Sequence, residues 1–419
     1  MTAALSLVFL LAGQVPAHEG HEPPDLPQHE GHQGTEAGHV PNVDPMAMME
    51  EMEATDRWMT MIHGYAFLSF NRQGGPSGDR DFESQNHLMV MSTHRWAGGK
   101  LSLRGTFTAE PATIAPEGSP ELFQRGETYN EVLLVDRQHP HDLFVQLAAQ
   151  WERPLSDRTA FKIYVSPWGE PAVGPTAYPH RLSASANPLA PLAHHNQDST
   201  HISANVITAG LRTGRVSFEA SAFHGAEPDE RRWDIDGGPI DSYAGRVTYR
   251  PLPGLSMQLS AARRTMPEPL EEGDQTRQTL SVEYFRATSS GFITAALILG
   301  RNILRDTGSE WGSGMEATWR FLESNSLYGR IESVDRDLFE LTNKQQRPEA
   351  IEPAETTVQA ATMGYLRDLP FGRQAGLAAG AGVTFYRFDS ELEPVYGEFP
   401  VSAQLFMRVR FGWHSGRKN

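Results

Sequence analysis

The chain has 419 residues, a formal net charge of −16 at pH 7 and no cysteine. The acidic balance disfavours a phosphate-backbone partner, so we expect no nucleic acid to bind. The lack of cysteine excludes disulfides and thiolate metal sites, and it suits a chain that crosses an oxidising periplasm.

Residues 1–17 have the composition of a secretory signal peptide. Residues 1–12 are largely apolar, and Val15, Pro16 and Ala17 offer a small-residue cleavage site. A hydrophobic N-terminus without an export role is the alternative, because the usual basic N-terminal residues are missing. We expect export, with His18 as the first residue of the mature chain.

Residues 18–57 are expected to form a largely disordered periplasmic arm, because their Gly, Pro and Glu content leaves little that could build a core. Five histidines are spaced along the arm: His18, His21, His29, His32 and His39. Asp44 and Pro45 have the residue types of an N-cap and a first-turn proline. A short helix is therefore predicted at about residues 45–55.

A methionine tract overlaps the end of this arm. Its members are Met46, Met48, Met49, Met52, Met59 and Met61, and His63 follows them. Imidazoles bind Cu(II), Ni(II) and Zn(II), whereas thioethers select Cu(I). A histidine tract followed by a methionine tract predicts a role in metal handling, and copper is the metal that it favours most. A solvated tail and a methionine-rich helix packed in a barrel mouth are the alternatives.

From Trp58 onward, apolar and polar residues alternate with a period of two, which predicts strands with one apolar face. In residues 401–413, Val, Ala, Leu, Met, Val, Phe and Trp alternate with Ser, Gln, Phe, Arg, Arg and Gly. The longest apolar run, residues 292–299, is far shorter than the about 20 residues of a transmembrane helix. A soluble sandwich and a transmembrane barrel both produce this alternation.

The connections favour the barrel, because about sixteen candidate strands (14–18 allowed) are joined alternately by tight turns and long loops. The loops are expected at about residues 73–81, 110–140, 168–199, 225–241, 265–275, 302–312, 336–354 and 388–399. Bacterial outer-membrane barrels have this pattern, with their turns in the periplasm. The predicted fold class of residues 58–419 is all-β, a transmembrane antiparallel β-barrel in outer-membrane lipid, preceded by the short N-terminal helix.

The position of a residue on a predicted strand indicates whether it lies at a membrane interface or faces the lumen. Interfacial aromatic girdles are expected from Trp96, Trp151, Tyr249 and Trp413 near the turns and from Trp168 and Trp311 near the loops. Charged side chains of both signs are expected to face the lumen. The basic ones are Arg104, Lys162, Arg246, Arg320, Arg330, Arg408 and Arg410, and the acidic ones are Glu219, Glu283, Glu316 and Glu332. Such mixed charge suits a channel with a slight preference for anions, or ion pairs that brace a closed barrel.

A second group of candidate metal ligands lies on the loop side of adjacent strands. Its members are His139, His141, Asp142, His194, His195, Asp198, His201 and His224. Strand parity directs Asp142 and His201 into the lumen and directs His141 and His224 outward. Histidines and carboxylates at a shared depth suit a divalent metal or a proton-sensitive gate, and a loop hydrogen-bond network is the alternative.

The chain is not expected to be an enzyme. Ser199, Asp198 and His201 supply the residue types of a nucleophilic triad, but neighbouring residues of a strand point to opposite faces. Binding or passing an ion requires no covalent chemistry.

Residues 18–63 resemble the Met/His-rich N-terminal extensions of outer-membrane copper-resistance proteins. The resemblance implies a barrel that binds or passes metal ions, copper as Cu(I) or Cu(II) or another divalent metal, with no cofactor required. It also implies periplasmic metal-handling proteins as partners, and a homotrimer is compatible with a porin-like barrel. A general small-solute porin and a surface-binding barrel that acts through its long loops are the alternatives.

Overall fold

The computed structural model describes residues 55–268, 270, 273–304, 308–348, 350–371 and 375–414. The expected signal peptide, the histidine-rich arm and its short helix lie outside these residues. Among the described residues, no helix is long and apolar enough to cross a membrane.

The described residues contain nineteen strands and four short α-helices. The strands are β1 Met59–Arg72, β2 Arg80–Glu83, β3 Asn86–Trp96, β4 Gly99–Phe107, β5 Ser119–Tyr129, β6 Val132–Gln138, β7 Phe144–Ser156, β8 Thr159–Gly169, β9 Ser203–Thr213, β10 Val216–Phe223, β11 Ser242–Leu252, β12 Leu255–Arg264, β13 Gln275–Thr288, β14 Gly291–Leu304, β15 Gly308–Phe321, β16 Asn325–Asp337, β17 Glu355–Leu369, β18 Ala375–Arg387 and β19 Val401–His414. The helices are α1 Glu110–Thr113, α2 His194–Gln197, α3 Leu338–Asn343 and α4 Glu393–Tyr396, with single 3₁₀ turns at Tyr178–His180, Ser199–His201 and Ser390–Leu392.

Sixteen of these strands form a closed antiparallel barrel, as the sequence predicts. Each pairs with the next along the chain, and β1 closes the ring by pairing with β19, where Gly64 lies opposite Phe411. Strand β2 pairs with the end of β1, and β5 pairs with β6 as a separate hairpin. The all-β fold class is confirmed, whereas the predicted N-terminal helix falls outside the described residues and stays a prediction.

The period of two separates an apolar outer face from a polar inner face. Leu259 and Leu405 point outward and are 60% and 63% exposed, whereas Gln258, Ser260 and Gln404 point inward and are buried. An apolar exterior around a polar interior is the arrangement of a membrane barrel, and it excludes the soluble sandwich.

The short and long connections lie at opposite ends of the barrel, in agreement with the predicted alternation. Tight turns join β3 to β4 and β9 to β10, with Ala97, Gly98 and Gly214 in the left-handed backbone region. One predicted loop is wrong: β14 continues to Leu304 and β15 begins at Gly308, so most of the expected loop 302–312 belongs to these two strands.

One predicted girdle residue is also misplaced. Trp168 is 1% exposed, on the inner face of β8, where it packs with Val145, Ile202 and Ala204. A register shift between β7 and β8 accompanies this end of the strand. Trp96 and Trp413 are more than half exposed at the turn end, and Trp311 is 44% exposed near the loop end, as a girdle requires.

Residues 170–202, called the lumen loop below, fold into the barrel and reach its far wall. The Arg330 guanidinium on β16 donates to the Leu189 carbonyl at 3.0 Å, and the Arg408 guanidinium on β19 donates to the Ser185 carbonyl at 2.7 Å. A Cβ atom on Gly300 of β14 would lie 2.0 Å from the Asn196 carbonyl oxygen. Glycine at this position therefore lets the loop backbone lie directly on the wall.

Residues 108–143, called the rim loop below, cover the loop end of the barrel. Leu122 and Phe123 of this loop are buried against Leu192 of the lumen loop and against Tyr396 of α4. The two loops and the barrel wall together form one apolar cluster near the loop end.

Most of the predicted lumen charges form ion pairs. Lys162 and Arg246 both contact the Glu219 carboxylate, at 2.5 and 2.9 Å. Arg330 contacts Glu332 at 2.8 Å. These pairs agree with the closed, braced interior, which is one of the two arrangements that the sequence allows.

Candidate metal site

Three histidines from the rim loop and the lumen loop converge inside the barrel. His141 lies just before β7, His194 begins α2, and His201 ends the 3₁₀ turn before β9. One ring nitrogen of each lies within 4.8 Å of the others. All three side chains are buried, with exposed fractions of 4%, 1% and 4%. We refer to them as the three-histidine cluster.

The Nδ1 atom of each ring is held by an oxygen atom. His141 Nδ1 is 2.8 Å from Glu110 Oε2, His194 Nδ1 is 2.6 Å from Asp198 Oδ1, and His201 Nδ1 is 3.0 Å from the Asp198 carbonyl. The Nε2 atoms of all three are buried and have no hydrogen-bond partner among the described residues. Acceptors at Nδ1 fix the tautomer that leaves Nε2 as a lone-pair donor, as behind metal-bound histidines.

Two ion pairs connect Asp198, which holds His194, to the barrel wall. Arg181 contacts Asp198 at 2.7 Å and Glu316 of β15 at 2.5 Å. Burial disfavours the charged carboxylate of Asp198, but Arg181 and then His194 outweigh it and hold the pKa of Asp198 well below its usual range. Asp198 is therefore a permanent anion beside His194 and balances positive charge at the cluster.

The environment sets the protonation of the rings. Burial lowers the pKa of His201 well below its usual range, so this imidazole is neutral at pH 7. Burial also opposes protonation of His141, but the Glu110 carboxylate outweighs it and raises the pKa of His141. The Glu110 carboxylate thus stabilises positive charge on the His141 ring. A cation bound at the Nε2 atoms would supply that charge in place of the second ring proton.

Two further histidines extend the cluster toward the loop end. The His139 ring lies 6.0 Å from that of His141 and 5.5 Å from that of His195, measured between ring centroids. His195 lines a cleft that also includes Arg125, Glu127 and Arg336. Burial lowers the pKa of His195 to about 3. Burial likewise lowers the pKa of His139 well below its usual range, so His139 and His195 are both neutral between the cleft and His141.

Other predicted ligands lie elsewhere. The carboxylate of Asp142 is 3.7 Å from Arg232, and burial raises its pKa to about 7. His224 bonds Asp241 and the Pro239 carbonyl, away from the cluster. Strand parity was wrong for His141: it lies in the rim loop before β7 begins, so the alternation of the strand does not extend to it.

The methionine tract is only partly within the described residues. Met59, Met61 and His63 lie on β1, in the barrel wall. The remaining predicted ligands of the arm, His18, His21, His29, His32, His39, Met46, Met48, Met49 and Met52, lie outside the described residues, so their metal role stays a prediction.

The three residue types of a nucleophilic triad do not act together. Ser199 Oγ donates to Glu227 at 3.0 Å and accepts from Arg277, whereas the Asp198 carboxylate bonds His194 Nδ1. The sequence reasoning missed Glu110, since a single glutamate in a loop carries no spacing signal. It also left His180 out of the candidate ligands, although this histidine lies in the lumen loop.

The fold is similar to those of solved outer-membrane porins. OmpF of Salmonella typhi, in a complex with daunomycin, matches with a TM-score of 0.50 at 10% identity, over 84% of this chain and 97% of that chain. OprB of Pseudomonas putida matches with 0.49 at 8% identity, over 85% and 94%. An anion-selective porin from Comamonas acidovorans matches with 0.48 at 11%, over 84% and 100%.

No protein-family model matches the chain, and no curated protein matches its sequence. At such low identity the structural likeness concerns the fold alone. The chain is a porin-like β-barrel of the bacterial outer membrane.

Proposed function

We propose that this outer-membrane barrel binds a transition-metal ion at the three-histidine cluster and serves in metal handling. The observation that carries the proposal is the set of three buried Nε2 atoms without partners among the described residues, each on a ring whose Nδ1 is held by an oxygen. Leaving such polar atoms unpartnered costs folding free energy, and a bound cation would recover it.

The distances suit a metal after a small adjustment. Metal–nitrogen bonds of about 2.1 Å in tetrahedral geometry hold the nitrogens about 3.4 Å apart. The present limit of 4.8 Å therefore requires the rings to approach by at most about 1.4 Å. Three imidazoles suit copper, zinc and nickel, and leave a fourth coordination position for solvent or for a fourth ligand.

Copper is the ion we favour among these. The arm that precedes the barrel carries the histidine and methionine tracts described above, and a mixed supply of imidazoles and thioethers binds both Cu(II) and Cu(I). The arm would collect the ion by several weak interactions, and the three-histidine cluster would hold it inside the barrel.

A general small-solute porin is the alternative function, and the filled lumen argues against it. The lumen loop is bonded to inward side chains of β15, β16 and β19, including Arg181 to Glu316. A wide aqueous channel needs this space. A homotrimer, periplasmic metal-handling partners and the absence of enzymatic activity stay predictions.

Metal titration of the purified full-length protein in detergent tests the proposal. Wild type and His194→Ala/His201→Ala are titrated separately with Cu(II), Zn(II) and Co(II), the last read from its visible absorption. We expect the double variant to bind one equivalent fewer and to lose the tetrahedral Co(II) bands. His224→Ala is the matched control, since this histidine is bonded to Asp241 outside the cluster.

Equal binding by wild type and by the double variant, for all three ions, would contradict the proposal. Any ions taken up by the arm appear equally in wild type, variant and control, so they cancel from the comparison.

A further inference from the structure

The inner faces of β1 and β3 carry a group of thioether and imidazole side chains. Met61 of β1 lies directly opposite Met91 of β3, and His63 lies opposite Met89. His87 lies one inward position above Met89, toward the loop end. We call these five residues the methionine–histidine wall.

The wall is buried in the lumen. Met61, Met89, Met91 and His87 have exposed fractions of 4%, 1%, 1% and 4%. Both ring nitrogens of His87 and Nε2 of His63 are buried without a hydrogen-bond partner among the described residues. The two rings lie 6.3 Å apart between centroids. Within the described part of the chain, no protein group satisfies these imidazole nitrogens.

Inward methionines occur on only some of the described strands. Elsewhere the lumen face carries either polar groups, as with Gln258 and Ser260 on β12 and Thr279 on β13, which bond one another, or aromatic and aliphatic clusters, such as that of Phe67, Tyr328 and Phe406. The methionines of other strands point to the outer surface and are 41–58% exposed: Met257, Met315, Met363 and Met407. Among the described strands, the inward methionines are thus confined to the two that also carry His63 and His87.

A turn of the lumen loop connects this wall to the three-histidine cluster. The His180 ring lies 4.4 Å from that of His87, and the Tyr65 hydroxyl donates to the Pro179 carbonyl at 3.3 Å. Two residues earlier, the Tyr178 ring lies 5.0 Å from that of His194. One short turn therefore contacts both groups of potential ligands.

The neighbouring charges favour an ion of low charge. Arg104 of β4 lies opposite Met91, and its guanidinium donates to Gln146 at 3.2 Å. Arg408 and Arg410 of β19 flank Phe67 and Tyr65, and both contact Asp368. Because Coulomb repulsion scales with charge, a monovalent ion is repelled half as strongly as a divalent ion at the same position.

We propose that the methionine–histidine wall is a second metal site, specific for a soft monovalent cation of the Cu(I) class, which exchanges with the three-histidine cluster through His180. Thioethers and neutral imidazoles are the ligands that Cu(I) prefers. The ion keeps its oxidation state between the two sites, so no electron donor is needed. The exchange rests on the proposed function, whereas binding at the wall does not.

Nuclear magnetic resonance of the full-length protein in detergent, with ¹³C-methyl-labelled methionine, tests the site. Silver(I) is the probe, because it has the ligand preferences of Cu(I) without its redox chemistry. We expect the methyl resonances of Met61, Met89 and Met91 to shift together and to saturate. Those of Met315, Met363 and Met407, on the outer face, should stay in place. Unshifted Met89 and Met91 resonances in excess silver(I) would overturn the proposal.

A variant series separates this site from the three-histidine cluster. Met61→Leu/Met89→Leu/Met91→Leu nearly conserves side-chain volume and should bind one silver(I) fewer while keeping the Co(II) bands. Met315→Leu/Met363→Leu/Met407→Leu is the matched control and should bind as wild type does. His194→Ala/His201→Ala should lose Co(II) but keep the silver(I) shifts of Met89 and Met91.

The outcomes of the two proposals are therefore distinguishable. An unchanged silver(I) stoichiometry in the inward triple variant contradicts the second site and leaves the first intact. If that variant fails to fold, as judged by heat-modifiable electrophoretic mobility, the wild-type methyl shifts alone decide.

Discussion

Glu110 and Asp198 determine whether the three rings can act as ligands, although neither carboxylate needs to touch a metal. Each accepts at the Nδ1 atom of a histidine, at 2.8 and 2.6 Å. Such outer-shell carboxylates orient the ring and raise its basicity, and losing one typically costs 10–100-fold in metal affinity.

Glu110→Gln is expected to weaken metal binding by roughly 10–100-fold, because an amide cannot balance the charge of a metal-bound imidazole. The measurement is a competitive titration of Zn(II) or Co(II) against a chromophoric chelator. Asp241→Asn is the matched control, since Asp241 supports His224 outside the cluster. An affinity within twofold of wild type would show that Glu110 has no role behind the metal.

Sequence reasoning at the scale of single residues succeeded where the strand period applies. It placed Glu316, Arg330 and Glu332 inside the barrel, and all three are buried there. It failed for His141, because the direction of a side chain in a loop depends on the loop's own path. Met89 and Met91 could have been found: they occupy inward positions of a strand with clear alternation, next to the predicted Met61 and His63.

At the scale of elements, the lumen loop supplies two of the three clustered histidines. Its path depends on two glycines of the barrel wall. A Cβ on Gly312 would lie 2.8 Å from Ala193 Cβ and 2.9 Å from Asn196 Cβ. Helix α2, which begins with His194, packs closely against Gly300 and Gly312. The strand pattern predicts the wall but gives no information about such a contact, so the inward path of the loop could not be derived from the sequence.

Gly300→Ala should displace α2, because the added methyl group would lie 2.0 Å from the Asn196 carbonyl oxygen. Overpacking of this kind costs about 1–3 kcal/mol of stability, and the shift of His194 should weaken metal binding. Co(II) absorption and the thermal unfolding midpoint measure both effects. Gly245→Ala is the control, since its nearest neighbour is 3.8 Å away. If both variants bind Co(II) equally, the close packing of α2 is not what positions the cluster.

At the scale of the whole molecule, the barrel differs from an open porin because loops and ion pairs occupy its interior. Arg330 and Arg336 on β16 fasten the lumen loop by donating to the carbonyls of Leu189 and Leu192, at 3.0 and 2.6 Å. Periodicity and loop lengths predicted the barrel wall and the strand number, and the orientation in the membrane stays a prediction. Whether the interior is open depends on these loop contacts, which leave no regular pattern in the sequence.

Wild type is therefore expected to conduct ions poorly in planar bilayers, and Arg330→Ala/Arg336→Ala should raise the single-channel conductance several-fold by releasing the lumen loop. Arg212→Ala/Arg263→Ala is the control, since these arginines pair at exposed positions with Glu152 and Asp274. A wild-type conductance equal to that of an open sixteen-stranded porin would contradict the closed interior.

The burial of the three-histidine cluster has a consequence for the timing of metal exchange. His141, His194 and His201 are each at most 4% exposed, so an ion reaches them only through a local opening of the surrounding loops or by exchange with the methionine–histidine wall. Exchange then requires such a step in addition to the breaking of the metal–nitrogen bonds, so it is slower than at an exposed site of equal affinity. A barrel loaded while metal is abundant would keep its ion long after the supply falls, and its occupancy would record past exposure.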